Sequence, residues 1–535
     1  MFKIINEFII KDNIVNKKYF YILFSILVLL ISFTGLNGSL QNIDEMLFAR
    51  ISRGSLEHNS WLVQMEEGKQ TFIKSPMVFW TAMISFKLFG ISDFTAKIPS
   101  AIAAVITSFA ILFICLKLFN SYKTGLMAVF IYLCSLQVYA SSHQICTDSL
   151  FQMFLLLSLF FSIKGIKDNK LWFLLSGFLN GMVFLSKSAL GFIIPSTILI
   201  YIIIQRRWNL LLYPIIVFLI SLIFSAPYFL YLYIKIPEFK ELFLIDYLVN
   251  VTYQKGGHEF LDILKRVSYY IALLIVFILP FTPGLIFVFY RKGEEEQPKN
   301  IIWNEYTKIL LIYFLVIIIG FSLIRQKMAH YTLPMIPILA MFLGKSLSNI
   351  KSRKAYLSLF IFALIVLTVF LILYSKEASR YPTYKDVVIG LVTIYTIFII
   401  VNAILFIKKT DGKIGLFMVV FIFFITFTIH TAITVPLDFN SDIKSFASVY
   451  KLPAPIYVIS TNKVNEGNKT RATIWYMRKR SIQYNNLDHF IKDAKKVEKG
   501  AYLIFYKDYT YKINEIYNNF KVLQSGKIWN IGVVN

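Results

Sequence analysis

The chain has 535 residues, 57% of them hydrophobic and only 16% charged, with a formal net charge of +25. Soluble globular chains hold about a quarter charged residues, so this composition excludes an ordinary soluble enzyme. The positive charge sits in short clusters between apolar blocks, the pattern that encodes membrane topology, which makes the lipid bilayer a partner and nucleic acid none.

Apolar blocks recur from the N-terminus to about residue 435, many long enough to cross a hydrocarbon core of about 30 Å. The first, Tyr19 to Thr34, runs on into more apolar sequence without a small-residue cleavage site, and reads as a signal anchor. Taken in chain order, the blocks predict about thirteen transmembrane helices, at 19–36, 98–116, 124–140, 148–163, 171–185, 190–204, 210–234, 267–290, 307–324, 332–344, 355–374, 386–407 and 414–436. Two longer segments interrupt the short-loop pattern, 37–97 and 235–266. Beyond 436 the composition turns polar. Strands are expected at 455–460, 501–506 and 519–524, and helices at 486–497 and 508–518. The predicted fold class is therefore membrane all-α, a polytopic helical domain over 1–436 followed by a small soluble α/β domain over 437–535. Cys115, Cys134 and Cys146 lie in or beside spans without metal-ligand spacing, and read as small packing residues.

Alternate loops differ sharply in basic residues. One set, which includes Lys17, Lys117, Lys164, Arg206 and Lys408, holds about 22 lysines and arginines, and the short loops of the other about six. The rich set is expected to be cytoplasmic, which puts segments 37–97 and 235–266 and the C-terminal domain on the external side. Long loops in compact membrane domains carry function, so the site is sought there.

The first external segment opens with Asp44 and Glu45, and also carries Arg50, Arg53, Lys69 and Lys74 on the face where cations are otherwise sparse. Adjacent acids could act as base, bind a metal or be solvated. Cations at that surface suit either a lipid-linked phosphate or anionic headgroups. Asp148 starts an apolar block, where an unpaired carboxylate is costly, so pairing with a cation is as good a reading as catalysis. His58, His143, His330, His430 and His489 form no pattern that calls for a function.

Asp44-Glu45-Met46-Leu47-Phe48-Ala49 is similar to the Asp-Glu-x-x-Tyr-Ala opening of the aminoarabinose (lipid A) transferase and dolichyl-phosphate-mannose-protein mannosyltransferase group. Lys74-Ser75-Pro76 with Trp80, the stretch Leu88 to Ile98, Asp148, Gly181 to Leu190 with Lys187, and Arg325 to Pro337 resemble further motifs of that group in the same order. The resemblance implies a GT-C fold, in which membrane helices carry a periplasmic cavity. The implied activity is transfer of a sugar, such as 4-amino-4-deoxyarabinose or a hexosamine, from undecaprenyl phosphate to lipid A. Transfer to a protein or glycan hydroxyl is the alternative. The implied location is the bacterial inner membrane, with the site and the C-terminal domain facing the periplasm.

Under that resemblance Asp44, Glu45 and Asp148 are the catalytic candidates. Lys74, Arg325, Lys327 and Lys187 are candidates for the donor phosphate, and Tyr331 and His258 for substrate. In the lipid A branch a histidine in the second loop binds a metal together with a glutamate just before the Lys-Pro. Here Ile73 stands at that glutamate position, so His258 is at most a lone ligand; no cofactor is required, and a divalent metal stays open. A transporter of lipid-linked sugars would place ionisable groups near the bilayer midplane. These gather at the external mouth, which favours a surface enzyme.

Overall fold

The computed structural model describes residues 17–40, 43–72, 74–187, 190–242, 260–279, 281–285, 307–324 and 327–349, single positions between 358 and 393, and, near the C-terminus, 443–447, 455–459, 475–476, 481–484, 487–506, 509–517, 520–526 and 529–534. The predicted spans 355–374, 386–407 and 414–436 lie largely or wholly outside these residues, as do Ile73, His258 and Arg325.

The described part up to residue 349 is almost entirely helical. Helix α1 (Lys17–Phe33) leads through a short connection to α2 (Ile43–Glu57), and a two-stranded hairpin, β1 (Gln64–Glu66) and β2 (Lys69–Thr71), follows. Then come α3 (Met77–Phe89), α4 (Asp93–Phe119), α5 (Tyr122–Leu133), α6 (Leu136–Ser142), α7 (Thr147–Lys167), α8 (Trp172–Ser186), α9 (Ile193–Gln205) and α10 (Leu212–Lys235). A short α11 (Pro237–Leu242), then α12 (Phe260–Phe277), α13 (Thr307–Leu323), a 3-10 segment (Ala329–Met335) and α14 (Ile336–Asn349) complete this part. Segment 37–97, expected as a long amphipathic stretch, is thus two helices and a hairpin.

Among the described residues, three stretches are long and apolar enough to cross a membrane, Asp93–Phe119, Thr147–Lys167 and Trp208–Lys235. A fourth is added if α5 and α6, which meet at a 70° bend, make one broken span. The block 124–140, uniformly apolar in sequence, is this bent pair. Its break falls at Cys134 and Ser135, where helical hydrogen bonding lapses between the two pieces. The block expected at 332–344 is also divided: its first residues join the 3-10 segment, with Pro334 inside it, and the α-helix starts at Ile336 with Pro337 in its first turn, where a missing N–H costs nothing.

Local chemistry fixes the ends of the long helices. Ser92 caps α4 by accepting from the Thr95 backbone N–H while the Thr95 hydroxyl accepts from the Ser92 N–H, the reciprocal pair that satisfies two orphan donors. Asn120 in the left-handed region closes the same helix. Asp148 in the first turn of α7 and Lys164 and Lys167 in its last turn complement the helix dipole.

Packing between helices relies on small and hydroxyl residues, as expected where lipid removes the hydrophobic drive. Gly177 and Gly181 sit one turn apart on α8 against α10. A Cβ at Gly177 would lie 2.8 Å from Cβ of Ile220, and one at Gly181 3.1 Å from the Ser221 carbonyl oxygen. The Asn180 amide between them donates to the Ser221 hydroxyl at 2.9 Å and to the Gly191 carbonyl at 2.8 Å. Ser158 and Ser162 of α7 meet Ser176 of α8 at 3.0 and 2.8 Å.

The C-terminal part carries a five-stranded sheet in the order β4-β3-β5-β7-β6, with β3 (Ile456–Ile459), β4 (Ser481–Tyr484), β5 (Tyr502–Tyr506), β6 (Phe520–Ser525) and β7 (Trp529–Val534). β3 is parallel to both β4 and β5, whereas β7 runs antiparallel to β5 and β6. Helices α15 (Leu487–Asp493) and α16 (Thr510–Ile516) cover one face. Side chains alternate along each strand, and the two faces have different neighbours. Tyr457, Ile459, Leu503 and Phe505 pack with Phe490 and Ile513 of the two helices. Ile456, Val458, Ile504, Trp529 and Ile531 join instead a core that includes Phe48 and Phe79 of α2 and α3, and Trp475. The sheet is therefore seated on the helical part through a continuous apolar core.

Candidate functional site

Helices α8 and α13 and the 3-10 segment meet beside the N-terminus of α7. Asp148, in the first turn of that helix and only 8% exposed, forms an ion pair with Lys187, which follows the last turn of α8. The Lys187 ammonium also stands 5.1 Å from the ring of Tyr331 and 5.4 Å from that of Phe151. Tyr331 belongs to the 3-10 segment and stacks on Phe321 at 4.5 Å, with the His330 ring edge-on to it at 4.9 Å. Gln152, one turn along α7 from Asp148, anchors that segment by donating to the Leu333 carbonyl at 2.6 Å, and accepts from the Tyr132 hydroxyl at 2.9 Å.

Electrostatics ties two more residues to this group. Burial lowers the pKa of His330; the Asp148 and Asp44 carboxylates oppose that shift, while the Lys187 and Lys74 ammonium groups add to it. Asp44, exposed in the first turn of α2, and Lys74, exposed before α3, therefore act on the same imidazole as the buried pair. Five residues singled out from the sequence, Asp44, Lys74, Asp148, Lys187 and Tyr331, are thus brought together by α2, α3, α7, α8 and the 3-10 segment. His330 joins them, although sequence reading gave it no function.

The direction of the His330 shift has a consequence for stability. The unfolded imidazole takes up a proton near its ordinary pKa of about 6.5, and the folded one resists until lower pH, so this residue's contribution is lost as pH falls below that value. A His330→Gln variant is therefore expected to show a flatter dependence of thermal midpoint on pH on the acid side of 6.5; a curve that keeps the wild-type slope would remove His330 as its source.

Other candidates fall elsewhere. The Lys327 ammonium lies 5.9 Å from the Tyr269 ring at the rim of α12. Arg266 on the same helix is buried and acts electrostatically on Tyr270, which in turn is coupled to Tyr331. Arg266 escaped sequence reading because it borders a predicted span like any topological charge. Glu45, beside Asp44 in the first turn of α2, is buried, and acts electrostatically on Tyr476. Arg50 pairs with Glu66 and Glu67 of the hairpin, and Arg53 donates to the Trp475 carbonyl at 2.8 Å. These two arginines, read with Lys74 as one cationic cluster, are structural. They line a separate cleft of about 330 Å³ with Glu57, His58 and Glu67 at the far end of α2. Among the described residues no three histidine, cysteine or acidic side chains come together as a metal site.

The stretch Leu88 to Ile98 also has a different task. Asp93 is buried and accepts from the Trp475 indole N–H at 2.9 Å and the Tyr476 hydroxyl at 3.2 Å, and Lys444 pairs with it at 2.6 Å. The Lys97 ammonium, also buried, donates to the carbonyls of Gly38 and Ser39 at 2.8 and 3.3 Å. His143, pushed down to about 4 by burial, stands 3.0 Å from the Thr34 carbonyl through Nε2. Its Nδ1 faces a second carbonyl, that of Tyr139, at 2.9 Å, and the Ser142 hydroxyl at 2.9 Å.

Residues 73–231 match the family model described as dolichyl-phosphate-mannose-protein mannosyltransferase. A curated relative from Aeromonas hydrophila, the undecaprenyl phosphate-alpha-4-amino-4-deoxy-L-arabinose arabinosyl transferase, is 26% identical over 309 residues, covering 56% of this chain and 55% of that protein. The protein of the same name from Serratia proteamaculans is 25% identical over 335 residues, covering 60% and 58%. The chain thus spans little more than half the length of the curated relatives it matches. The crystal structure of ArnT from Cupriavidus metallidurans bound to undecaprenyl phosphate superposes with a TM-score of 0.72 at 18% identity, covering 97% of this chain and 99% of that one. Its apo form gives 0.71 at 16% identity. The resemblance read in the sequence therefore stands: the chain is related to the aminoarabinose transferase and mannosyltransferase group, has its GT-C fold, and is a multi-pass membrane protein.

Proposed function

We propose that a chain of this fold and kinship is a glycosyltransferase of the bacterial inner membrane, moving a sugar from undecaprenyl phosphate to lipid A on the periplasmic side. The carrying observation is the convergence of Lys187, His330 and Lys74 on Asp148, with Tyr331 against Lys187 and Asp44 acting on the same imidazole. An exposed ammonium, that of Lys74, beside a buried ion pair suits a lipid monophosphate better than a neutral ligand. The names of the relatives, and the lipid bound in one of the solved structures, support this donor.

In the reaction an oxygen of the acceptor attacks the anomeric carbon of the sugar, and the bond from that carbon to the polyprenyl phosphate oxygen breaks. The pair of electrons stays on the departing phosphate, whose added charge Lys74 stabilises, with Arg325 and Lys327 as further cations. Lys187 is held by Asp148, and so contributes field and shape at that edge. Asp44 orients the acceptor; a lipid A phosphate is already anionic and needs no base, whereas a hydroxyl acceptor would draw on Asp44 as one. His258 and Tyr331 are assigned to the substrate. In this reading about thirteen spans make up 1–436, with 437–535 as the external domain, as the lysine and arginine bias of the loops supports. The family description for residues 73–231 favours a protein hydroxyl as the second choice of acceptor.

The test is reconstitution of the purified chain in lipid nanodiscs with undecaprenyl-phosphate-linked aminoarabinose and lipid A, followed by mass spectrometry of the lipid A. A sugar-sized increment, reduced at least tenfold by Lys74→Ala at subsaturating donor, is the expected result. Unmodified lipid A with sugar on an added peptide would move the acceptor to a hydroxyl. No turnover with either would overturn the reading.

A further inference from the structure

The segment between α1 and α2 delivers Asp44, and it is held by an unusual series of contacts. His143 faces the Thr34 carbonyl, and Lys444 donates to the Asn37 carbonyl at 3.4 Å. Lys97 donates to the carbonyls of Gly38 and Ser39, and the backbone N–H of Leu40 donates to the Tyr476 hydroxyl at 3.0 Å. The seven-residue stretch Thr34 to Leu40 thus has peptide groups gripped by side chains from four separate places. Two of the grips, Lys444 and Tyr476, come from the C-terminal part of the chain.

Tyr476 stands at the centre of this arrangement. Its hydroxyl accepts from Leu40 and donates to Asp93, using both of its hydrogen-bonding capacities. The neighbouring Trp475 donates to the other oxygen of Asp93, meets the Phe86 ring in a tilted arrangement at 6.1 Å, and lies 4.9 Å beneath the Arg53 guanidinium. Arg53 belongs to α2, the helix whose first turn carries Asp44. The dipeptide therefore touches α2 near one end, the segment leading to its other end, and the cap of α4. Burial pushes the phenol of Tyr476 well above its usual range, and the nearby Asp93 carboxylate adds to the shift, so the hydroxyl keeps its proton and stays a donor.

We propose that Tyr476 is a positioning residue for Asp44, so that the C-terminal domain completes the catalytic end of the helical domain by fixing the segment that presents its acidic residue. This rests on the transferase reading for its kinetic side, but its structural side can be measured without turnover. Loss of one hydrogen bond at a pinned backbone shifts the side chain beyond it by a fraction of an ångström to an ångström, and displacements of that size cost catalysis far more than they cost stability.

The test uses the full chain in nanodiscs and the variant Tyr476→Phe, which keeps the ring and its packing. Hydrogen exchange of the 34–40 backbone is expected to speed up at least tenfold, with the thermal midpoint within a few degrees of wild type. In the reconstituted assay kcat should fall by about tenfold to a hundredfold while KM for the polyprenyl-phosphate sugar is unchanged. In an Asp44→Ala background the same change should cost nothing further, because a residue acting through Asp44 cannot be lost twice. Unchanged exchange would overturn the proposal, as would an equal fold-loss of kcat in both backgrounds. Faster exchange in a chain that transfers no sugar would instead locate the failure in the transferase reading, and leave the grip on the segment established.

Discussion

Lys187→Met is expected to cost about 3 kcal/mol of stability in detergent, and adding Asp148→Asn to the same chain is expected to restore most of it. The reason lies in how the two are placed. Asp148 and Lys187 form an ion pair with side chains only 12% and 18% exposed, so removing either leaves the other charge largely buried. Breaking such a pair leaves a bare charge in a poorly polarisable site, and removing both leaves only a packing defect. A denaturation series on the two single variants and the double variant gives the coupling directly. If the costs simply add, the pair is not a unit, and the site is wetter than its burial implies.

The second large effect is at Asp44. Replacing it with alanine is expected to reduce kcat about a hundredfold without weakening the binding of undecaprenyl phosphate. The asparagine variant separates two roles. Asn keeps the shape and can still accept a hydrogen bond, so with a lipid A phosphate as acceptor it should retain most of the activity that alanine loses, since nothing has to be deprotonated. Equal losses in Asp44→Asn and Asp44→Ala would mean that the charge itself is used, which identifies Asp44 as a base and a hydroxyl as the acceptor. Steady-state kinetics of the three proteins against one donor preparation decides between them.

Much of this site could be seen in the sequence, for a definable reason. Asp44, Lys74, Asp148 and Lys187 each stand at or beside a helix terminus, and charge there is conspicuous against a hydrophobic background, while Tyr331 follows the basic run before an apolar block. Their order along the chain also matches that of a known group. What the sequence could not supply was partnership: 39 positions separate Asp148 from Lys187, and only the packing of α7 against α8 makes them one ion pair. His330 was missed because a lone histidine has no spacing to recommend it; its place beside Tyr331, between two basic residues and two prolines, was the available signal. Trp475 and Tyr476 were missed altogether, although an aromatic pair with polar tips in a polar segment asks for a buried acceptor.

The fold shows the same division. Strands β3, β5 and β6 were visible as short apolar runs, whereas β4 has only Ile482 and Tyr484 as large apolar or aromatic side chains, and β7 is interrupted by Asn530 and Gly532. Their membership in the sheet comes from pairing with β3 and β5, a nonlocal property. The bend between α5 and α6 was hidden by a continuous hydrophobic block, because hydropathy measures what a residue dissolves in and carries no information on where the backbone turns.

Helix α4 acts as a gauge. Its 27 residues extend about 40 Å, some 10 Å more than the hydrocarbon layer, and its capped start at Asp93 is the anchorage for Trp475, Tyr476 and Lys444. The helix carries that anchorage as a post, its height set by residue count in one helix and insensitive to loop length. One residue added to the post would raise its tip by about 1.5 Å and swing Asp93 through about 100°, away from the indole it receives. Drift in this chain can therefore lengthen its loops freely while the span of α4 stays quantised, in steps of whole turns.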